Sequence, residues 1–138
     1  MLPEFNDINK VFILSAGRTG TKFLGSTLQN ISTNLISTHE PDKINFKNFS
    51  ELKTRLQRQG MFDLFVLKAL GITGARNLSL QYLNNRLSIK AAQKRFEYSR
   101  RWVNEENYIE SNAQLFGLSE ILRDFSNTKI IYLYRDPR

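Results

Sequence analysis

The stretch KVFILSAGRTGTKFLGSTL, residues 10–28, decides the fold of this chain. It begins with a short apolar run, Val11 to Leu14, and a turn of small residues, Ser15 to Thr21, follows at once. Apolar residues then recur at helical spacing: Phe23, Leu24, Leu28 and Ile31. A strand, a glycine turn and a helix in this order can cradle an anion, because the turn points backbone N–H groups inward and the helix N-terminus adds partial positive charge. We therefore expect a phosphate-binding site here, with Arg18 and Lys22 adding full charges.

Length and composition limit the class of protein. At 138 residues and 41% hydrophobic, the chain can build one core and one domain. The absence of cysteine excludes disulfides, thiolate zinc sites and thiol nucleophiles. No apolar run reaches the roughly 18 residues of a membrane span, and the N-terminal MLPEFNDINK lacks the basic-then-apolar order of a secretory signal. We expect a soluble, cytoplasmic protein.

The net charge of +7 at pH 7 predicts an anionic partner. On charge alone, a nucleic acid, a nucleotide, a sulfated sugar and an acidic lipid surface all qualify. The charge is concentrated in residues 86–101, where six cations accompany a single anion, Glu97. Such a run is typical of a solvated helix face, and it would also attract an acidic acceptor. The sequence leaves these two interpretations open.

Hydrophobic periodicity along the rest of the chain predicts strands separated by helices. The predicted strands are residues 10–15, 34–38, 107–111 and 129–134. The predicted helices are residues 21 to about 30, 46–59, 61–70, 78 to about 105 and 114–125. We expect the helix over residues 61–70 to be buried. In the long helix that starts at residue 78, the apolar stripe includes Leu80, Leu83 and Tyr98, and the cations lie largely off this stripe. Thr19 or Thr21 is expected to cap the first helix.

This alternation predicts an α/β fold of three layers, with a mostly parallel sheet and helices on both faces. In such sheets, ligands bind outside the carboxyl ends of the strands. Those ends lead into four polar groups: Gly17-Arg18-Thr19-Gly20, His39-Glu40, Ser111-Asn112 and Arg135-Asp136. We expect all four groups to share one edge of the sheet.

The glycine turn does not satisfy the Walker A pattern, which requires a lysine directly after its second glycine. Here Gly20 is followed by Thr21, and no clear Walker B acid is present. An ordinary ATP- or GTP-hydrolysing site is therefore disfavoured.

Three motifs together resemble those of sulfotransferases that use 3′-phosphoadenosine 5′-phosphosulfate (PAPS). SAGRTGTKFL at residues 15–24 resembles the loop that binds the 5′-phosphosulfate, although Lys22 replaces a common hydroxyl residue. KIIYLYRDPR at residues 129–138 resembles the second signature, in which a strand delivers an arginine to the 3′-phosphate. His39-Glu40-Pro41 resembles the segment after strand two that supplies a catalytic base in several branches.

The resemblance implies a P-loop NTPase-like fold and metal-free transfer of a sulfuryl group from PAPS to a hydroxyl or amine acceptor. It implies that the cosubstrate is bound by Gly17, Arg18, Thr19, Gly20, Thr21, Lys22 and Arg135. Arg18 would also stabilise the leaving phosphate, and Glu40 or His39 would act as the base, with Glu40 slightly favoured. Glu110 and Asn112 are weaker candidates for the acceptor wall.

The family's next helix, whose serine completes the 3′-phosphate site, has no counterpart here. We therefore expect residues 1–138 to be a single sulfotransferase-like domain that is either incomplete at the C-terminus or a reduced member. The expected partners are an anionic nucleotide, rather than nucleic acid, and an acceptor that the sequence does not name, with an acidic glycan as one candidate. Two rival interpretations are a P-loop nucleotide or nucleoside kinase-like protein and a non-catalytic polyanion-binding module that uses residues 86–101.

Overall fold

The computed structural model describes residues 4–16, 20–31 and 33–135. The strands are β1 (Asn9–Ser15), β2 (Leu35–His39), β3 (Asn107–Ser111) and β4 (Thr128–Leu133). The α-helices are α1 (Thr21–Leu28), α2 (Phe49–Gln59), α3 (Ala75–Leu83), α4 (Ile89–Ser99) and α5 (Ser119–Arg123). A π-helical segment spans Phe62–Leu67, and a 3₁₀ helix spans Ala113–Leu118. Among the described residues, no helix is both long and apolar enough to cross a membrane.

The four strands form one all-parallel sheet in the order β2-β3-β1-β4. The central strand β1 pairs with β3, where Ile13 lies opposite Ser111, and with β4, where Ser15 lies opposite Leu133. The strand β2 pairs with β3, so that His39 also lies opposite Ser111. The predicted α/β class and parallel sheet are confirmed.

The main core lies on the face of the sheet that carries Phe12 and Leu14 of β1. Phe12 packs edge-to-face on Phe96 of α4 with ring centroids 5.6 Å apart, and Phe5 packs in the same way on Phe125 at 5.5 Å. Burying each large apolar side chain contributes about 1.5–3 kcal/mol. These contacts therefore hold α3, α4, α5 and the 3₁₀ helix against this face.

Helix α1 covers the opposite face of the sheet. Ser37 Oγ of β2 donates a hydrogen bond to the Gly25 carbonyl at 2.7 Å, and the Gln29 side chain bonds to the backbone of Leu35 and Ser37. A Cβ on Gly25 would lie 2.9 Å from the Cβ of His39. Glycine at this position therefore allows the close approach of helix and strand.

Residues 61–70, predicted as a buried helix, are helical but only partly buried. Leu64 and Leu67 are buried, whereas Met61 and Phe62 are 69% and 60% exposed. The prediction of full burial was wrong because only the side of this helix that carries Leu64 and Leu67 is buried.

The long helix predicted over residues 78 to about 105 is two helices. They are separated by a turn in which Asn85 has a φ of 55°, and Ser88 Oγ caps α4 by accepting from the Ala91 N–H at 3.2 Å. Leu80 and Leu83, assigned to the apolar stripe, are exposed. The helix predicted over residues 114–125 is likewise a 3₁₀ helix followed by the short α5.

The basic run of residues 86–101 is not a uniformly solvated face. Arg100 is fully buried, Arg95 donates to the Gln81 side chain at 3.0 Å, and Arg101 pairs with Asp63 at 2.7 Å. Within the described part of the chain, the exposed cations of the run without such partners are Arg86, Lys90 and Lys94. Half of the charge assigned to this face is therefore engaged within the fold.

Candidate functional site

The carboxyl ends of all four strands lie at one edge of the sheet, because the strands are parallel. Backbone hydrogen bonds continue past these ends. The Glu40 N–H donates to the Ser111 carbonyl at 3.1 Å, and the Asn112 N–H donates to the Ile13 carbonyl at 3.0 Å. The segments that follow β2 and β3 are therefore held close to each other and to β1.

The N-terminus of α1 is the described part of the predicted anion cradle. Three predicted ligands lie outside the described residues: Gly17, Arg18 and Thr19. Gly20 precedes the helix with a φ of 87°, a left-handed conformation that glycine adopts without strain. Thr21 is the first residue of the helix, not its cap, and among the described residues no side chain caps α1 and no acid lies in its first turn. The first intrahelical bond runs from the Leu24 N–H to the Gly20 carbonyl, so the amides that precede it are not used within the helix.

Lys22 and Arg135 are exposed cations at this edge. Lys22, in the first turn of α1, lines a cavity of about 250 Å³ together with His39 and Arg55. Arg135 follows β4. Within the part of the chain that the structure describes, no carboxylate forms an ion pair with either cation. Asp136, the alternative partner for Arg135, lies outside the described residues.

A larger cavity of about 550 Å³ lies between the segment after β2 and the start of α3. Its volume is in the range of small-molecule sites. Its wall carries five charged residues together with Leu80 and Asn112; the charged residues are Glu40, Asp42, Lys43, Lys68 and Arg76. Sequence reasoning missed Lys68 and Arg76, because no local pattern places residues 68 and 76 beside the end of a strand at residue 39.

Glu40 directly follows β2 with a φ of 43°. For a residue other than glycine, this left-handed conformation costs on the order of 1 kcal/mol or more, and such strain is concentrated at functional sites. Its Oε2 lies 3.3 Å from Lys43 Nζ and 3.7 Å from His39 Nε2, and its side chain is largely buried. The Glu40 carboxylate is therefore fixed at the edge of the cavity, where it can accept a proton from a bound ligand.

His39 faces α1 and lines the smaller cavity, whereas Glu40 lines the larger one. Burial lowers the pKa of the His39 imidazole below its usual value, and the neighbouring Glu40 carboxylate opposes that effect. The buried Nδ1 of His39 and Oγ of Ser111 have no hydrogen-bond partner among the described residues. The two candidate bases thus line different cavities, although their side chains approach each other to 3.7 Å.

A buried ion network, which sequence reasoning missed, supports this edge. The Arg100 guanidinium donates to both carboxylate oxygens of Glu110 at 2.7 Å and to both of Asp42 at 2.8 and 2.9 Å. Asp42 also accepts from the Ala75 N–H at 3.0 Å, at the start of α3. The network therefore joins the segment after β2 to β3, α3 and α4.

Glu110 is fully buried within this network and is not among the residues that line the larger cavity. It shares the core face of β3 with Tyr108, and this alternation was the signal that Glu110 needed an internal partner. Asn112 donates to Glu110 at 2.8 Å and does line the larger cavity.

The chain matches no protein-family model, no curated protein and no solved structure. The α/β class and the parallel sheet rest on the structure itself. The P-loop NTPase-like fold, the sulfotransferase resemblance and the cytoplasmic location stay predictions.

Proposed function

We propose that this protein is a P-loop NTPase-like sulfotransferase that binds PAPS and transfers its sulfuryl group to a hydroxyl or amine acceptor. The observation that carries the proposal is the shared edge of the parallel sheet. There, the start of α1, Glu40 and Arg135 all follow carboxyl ends of strands. Ligands of open α/β sheets bind at such edges.

The binding roles follow from the charges at this edge. The amides at the start of α1, together with Gly17, Arg18, Thr19, Gly20, Thr21 and Lys22, would hold the 5′-phosphate and the sulfate. Arg135, on the segment after β4, would hold the 3′-phosphate by a charge-assisted hydrogen bond. Cations at two places in the chain, Arg18 and Lys22 after β1 and Arg135 after β4, suit a nucleotide that carries phosphates at both its 3′ and 5′ positions.

PAPS supplies an activated sulfuryl group, and the chain orients it and moves a proton. Glu40 would take the acceptor proton as the acceptor oxygen or nitrogen bonds to sulfur and the bond from sulfur to the bridging oxygen of the 5′-phosphate breaks. Arg18 would stabilise the charge that develops on that oxygen, so that adenosine 3′,5′-bisphosphate leaves. His39 is the alternative base, but it lines the other cavity.

Calorimetric titration with adenosine 3′,5′-bisphosphate tests the proposal, with ADP and Mg-ATP as competing ligands. We expect the 3′,5′-compound to bind at least about tenfold more tightly than ADP, because ADP has no 3′-phosphate for Arg135. Arg18→Ala should weaken binding by about tenfold or more, since a hydrogen bond to a charged group contributes about 1.5–3 kcal/mol. Arg86→Ala, which removes an exposed cation of the basic run, is the control and should bind as the parent chain does.

Three results would contradict the proposal. Tighter binding of Mg-ATP would favour the kinase-like interpretation. Unchanged nucleotide binding and sulfuryl transfer by Arg18→Ala would remove the role of Arg18. Binding of heparin or DNA that falls steeply with salt, survives Arg18→Ala and is lost in Arg86→Ala would favour a polyanion-binding module.

A further inference from the structure

We propose that the cavity of about 550 Å³ is the acceptor site and that it selects acceptors carrying a carboxylate or sulfate group beside the reacting hydroxyl or amine. This inference rests on the proposed function for the identity of the reaction. The binding of an anionic ligand is argued from the charged side chains of the cavity wall and does not depend on the reaction.

The charges in the cavity wall are unevenly compensated. The Asp42 carboxylate accepts from the Ala75 N–H and shares Arg100 with Glu110, so it also attracts the Lys68 ammonium. The wall nevertheless holds three cations, Lys43, Lys68 and Arg76, against the two carboxylates of Glu40 and Asp42. Lys43 is paired with Glu40. Among the described residues, no carboxylate forms an ion pair with Lys68 or Arg76, the two remaining cations of the wall.

Lys68 is built into the wall. Its Nζ donates to the Asp42 carbonyl, and its aliphatic stem lies against Gly74, where an added Cβ would meet Lys68 Cγ at 3.4 Å. Burial lowers the pKa of this amine, although the Asp42 carboxylate opposes the effect. An ammonium group has three donors, so Lys68 keeps donors for a ligand after bonding to Asp42.

The cavity wall carries both a candidate base and cations. Glu40, the candidate base, lies at the end of β2, whereas Arg76 lies in the first turn of α3. The amide of Ala75 is already used by Asp42, so an anion here would be recognised by the Lys68 and Arg76 side chains. A compact acceptor could thus place its oxyanion at these cations and its hydroxyl or amine at Glu40, which explains the selection of acidic acceptors over neutral ones.

Binding of a chondroitin disaccharide, which carries a carboxylate, tests the inference when compared with uncharged lactose in titrations followed by two-dimensional NMR. We expect the acidic disaccharide to bind with a dissociation constant below about 10 mM and at least about tenfold more tightly than lactose. Arg76→Met and Lys68→Met should each weaken binding by about tenfold, because each removes a charge-assisted hydrogen bond. Methionine keeps the apolar stem of either side chain, and Arg76 is exposed, so at least that variant should fold. The charge-matched control is Lys94→Met on α4, which should bind as the parent chain does.

Three results would overturn the inference. They are equally tight binding of lactose, unchanged disaccharide binding by both Lys68→Met and Arg76→Met, and no binding of the acidic disaccharide. So would competition between the disaccharide and adenosine 3′,5′-bisphosphate, since the cavity would then be a nucleotide site. A separate titration distinguishes this failure from failure of the proposed function. If adenosine 3′,5′-bisphosphate does not bind but the disaccharide still depends on Lys68 and Arg76, the proposed function fails and the anion-selective cavity stands.

Discussion

Replacing Arg100 with methionine should strongly destabilise the protein. Arg100 has no exposed surface, and its guanidinium makes four hydrogen bonds of 2.7–2.9 Å to Asp42 and Glu110. Methionine fills part of the same volume but leaves both carboxylates without their counter-ion. The exposed neighbour Arg101, paired with Asp63, offers a matched control.

The expected loss follows from the burial of the network. Removing one partner of a buried ion pair costs about 3–5 kcal/mol, because the remaining charge is uncompensated. Typical domains have unfolding free energies of about 5–15 kcal/mol, so the loss is a large fraction of the total. Arg101→Met removes a surface ion pair with Asp63, a hydrogen bond to the Tyr98 carbonyl and a contact with the Tyr98 ring. Together these losses should cost at most about 2 kcal/mol.

Urea unfolding followed by the fluorescence of Trp102, the only tryptophan of the chain, provides the assay. Trp102 Nε1 donates to the Ser99 carbonyl at 3.0 Å, next to Arg100, so its emission reports on this region. With a denaturant dependence of about 2 kcal/mol per molar urea, Arg100→Met should lower the midpoint by about 2 M.

A second substitution, at Glu110, tests the role of charge even if Arg100→Met also loses packing contacts. Glu110→Gln should destabilise the parent chain, because it weakens the bonds to Arg100, but it should stabilise Arg100→Met by removing an uncompensated charge. A loss below about 1 kcal/mol in Arg100→Met, or the same sign of the Glu110→Gln effect in both backgrounds, would refute a buried network held by charge compensation.

Two further predictions concern the contact between α1 and β2. Gly25→Ala would place a Cβ 2.9 Å from His39 Cβ and 3.1 Å from the Thr38 carbonyl. The crowding should cost about 1–3 kcal/mol, which exceeds the gain in helix propensity of about 1 kcal/mol, so this variant should be less stable in chemical denaturation. The control is Ser26→Ala at the exposed neighbouring position, which should change the unfolding free energy by less than about 0.5 kcal/mol. Equal stability of the Gly25→Ala and Ser26→Ala variants would contradict the close approach. His39, the only histidine, should titrate below its usual pKa of about 6.5 because burial disfavours the charged ring. Below about pH 6.5 the unfolded chain binds this proton more readily than the folded one, so the unfolding free energy should fall as the pH drops until the pKa of the folded state is passed. The His39→Asn variant should lack this pH dependence of the unfolding free energy in urea titrations at several pH values. In the parent chain, an NMR titration of the His39 imidazole with a midpoint at or above about pH 6.5 would show that burial is not the dominant effect.

The local sequence pattern was sufficient to predict the four strands of the sheet. Strand β3 was predicted with both of its ends, and β1, β2 and β4 were each predicted to within one residue. Apolar runs bounded by turn residues contain this information, because strand formation depends on short segments of the chain. The parallel arrangement followed from the helical segments between the strands, and with it the edge where Glu40 and Arg135 emerge.

The sequence by itself thus determined the strands, their parallel direction in an α/β fold and the edge at which ligands of such folds bind. Tertiary structure decided which charged groups are buried and which face a cavity. Arg100 and Arg101 are neighbours in one basic run, yet the first is buried against Asp42 and Glu110 and the second is exposed. Lys68 and Arg76 line the larger cavity because Asp42, which follows β2, accepts from the Lys68 ammonium and from the Ala75 N–H at the start of α3. The physical reason is that the burial and partners of a charge depend on contacts between segments distant in the chain, which no local pattern records.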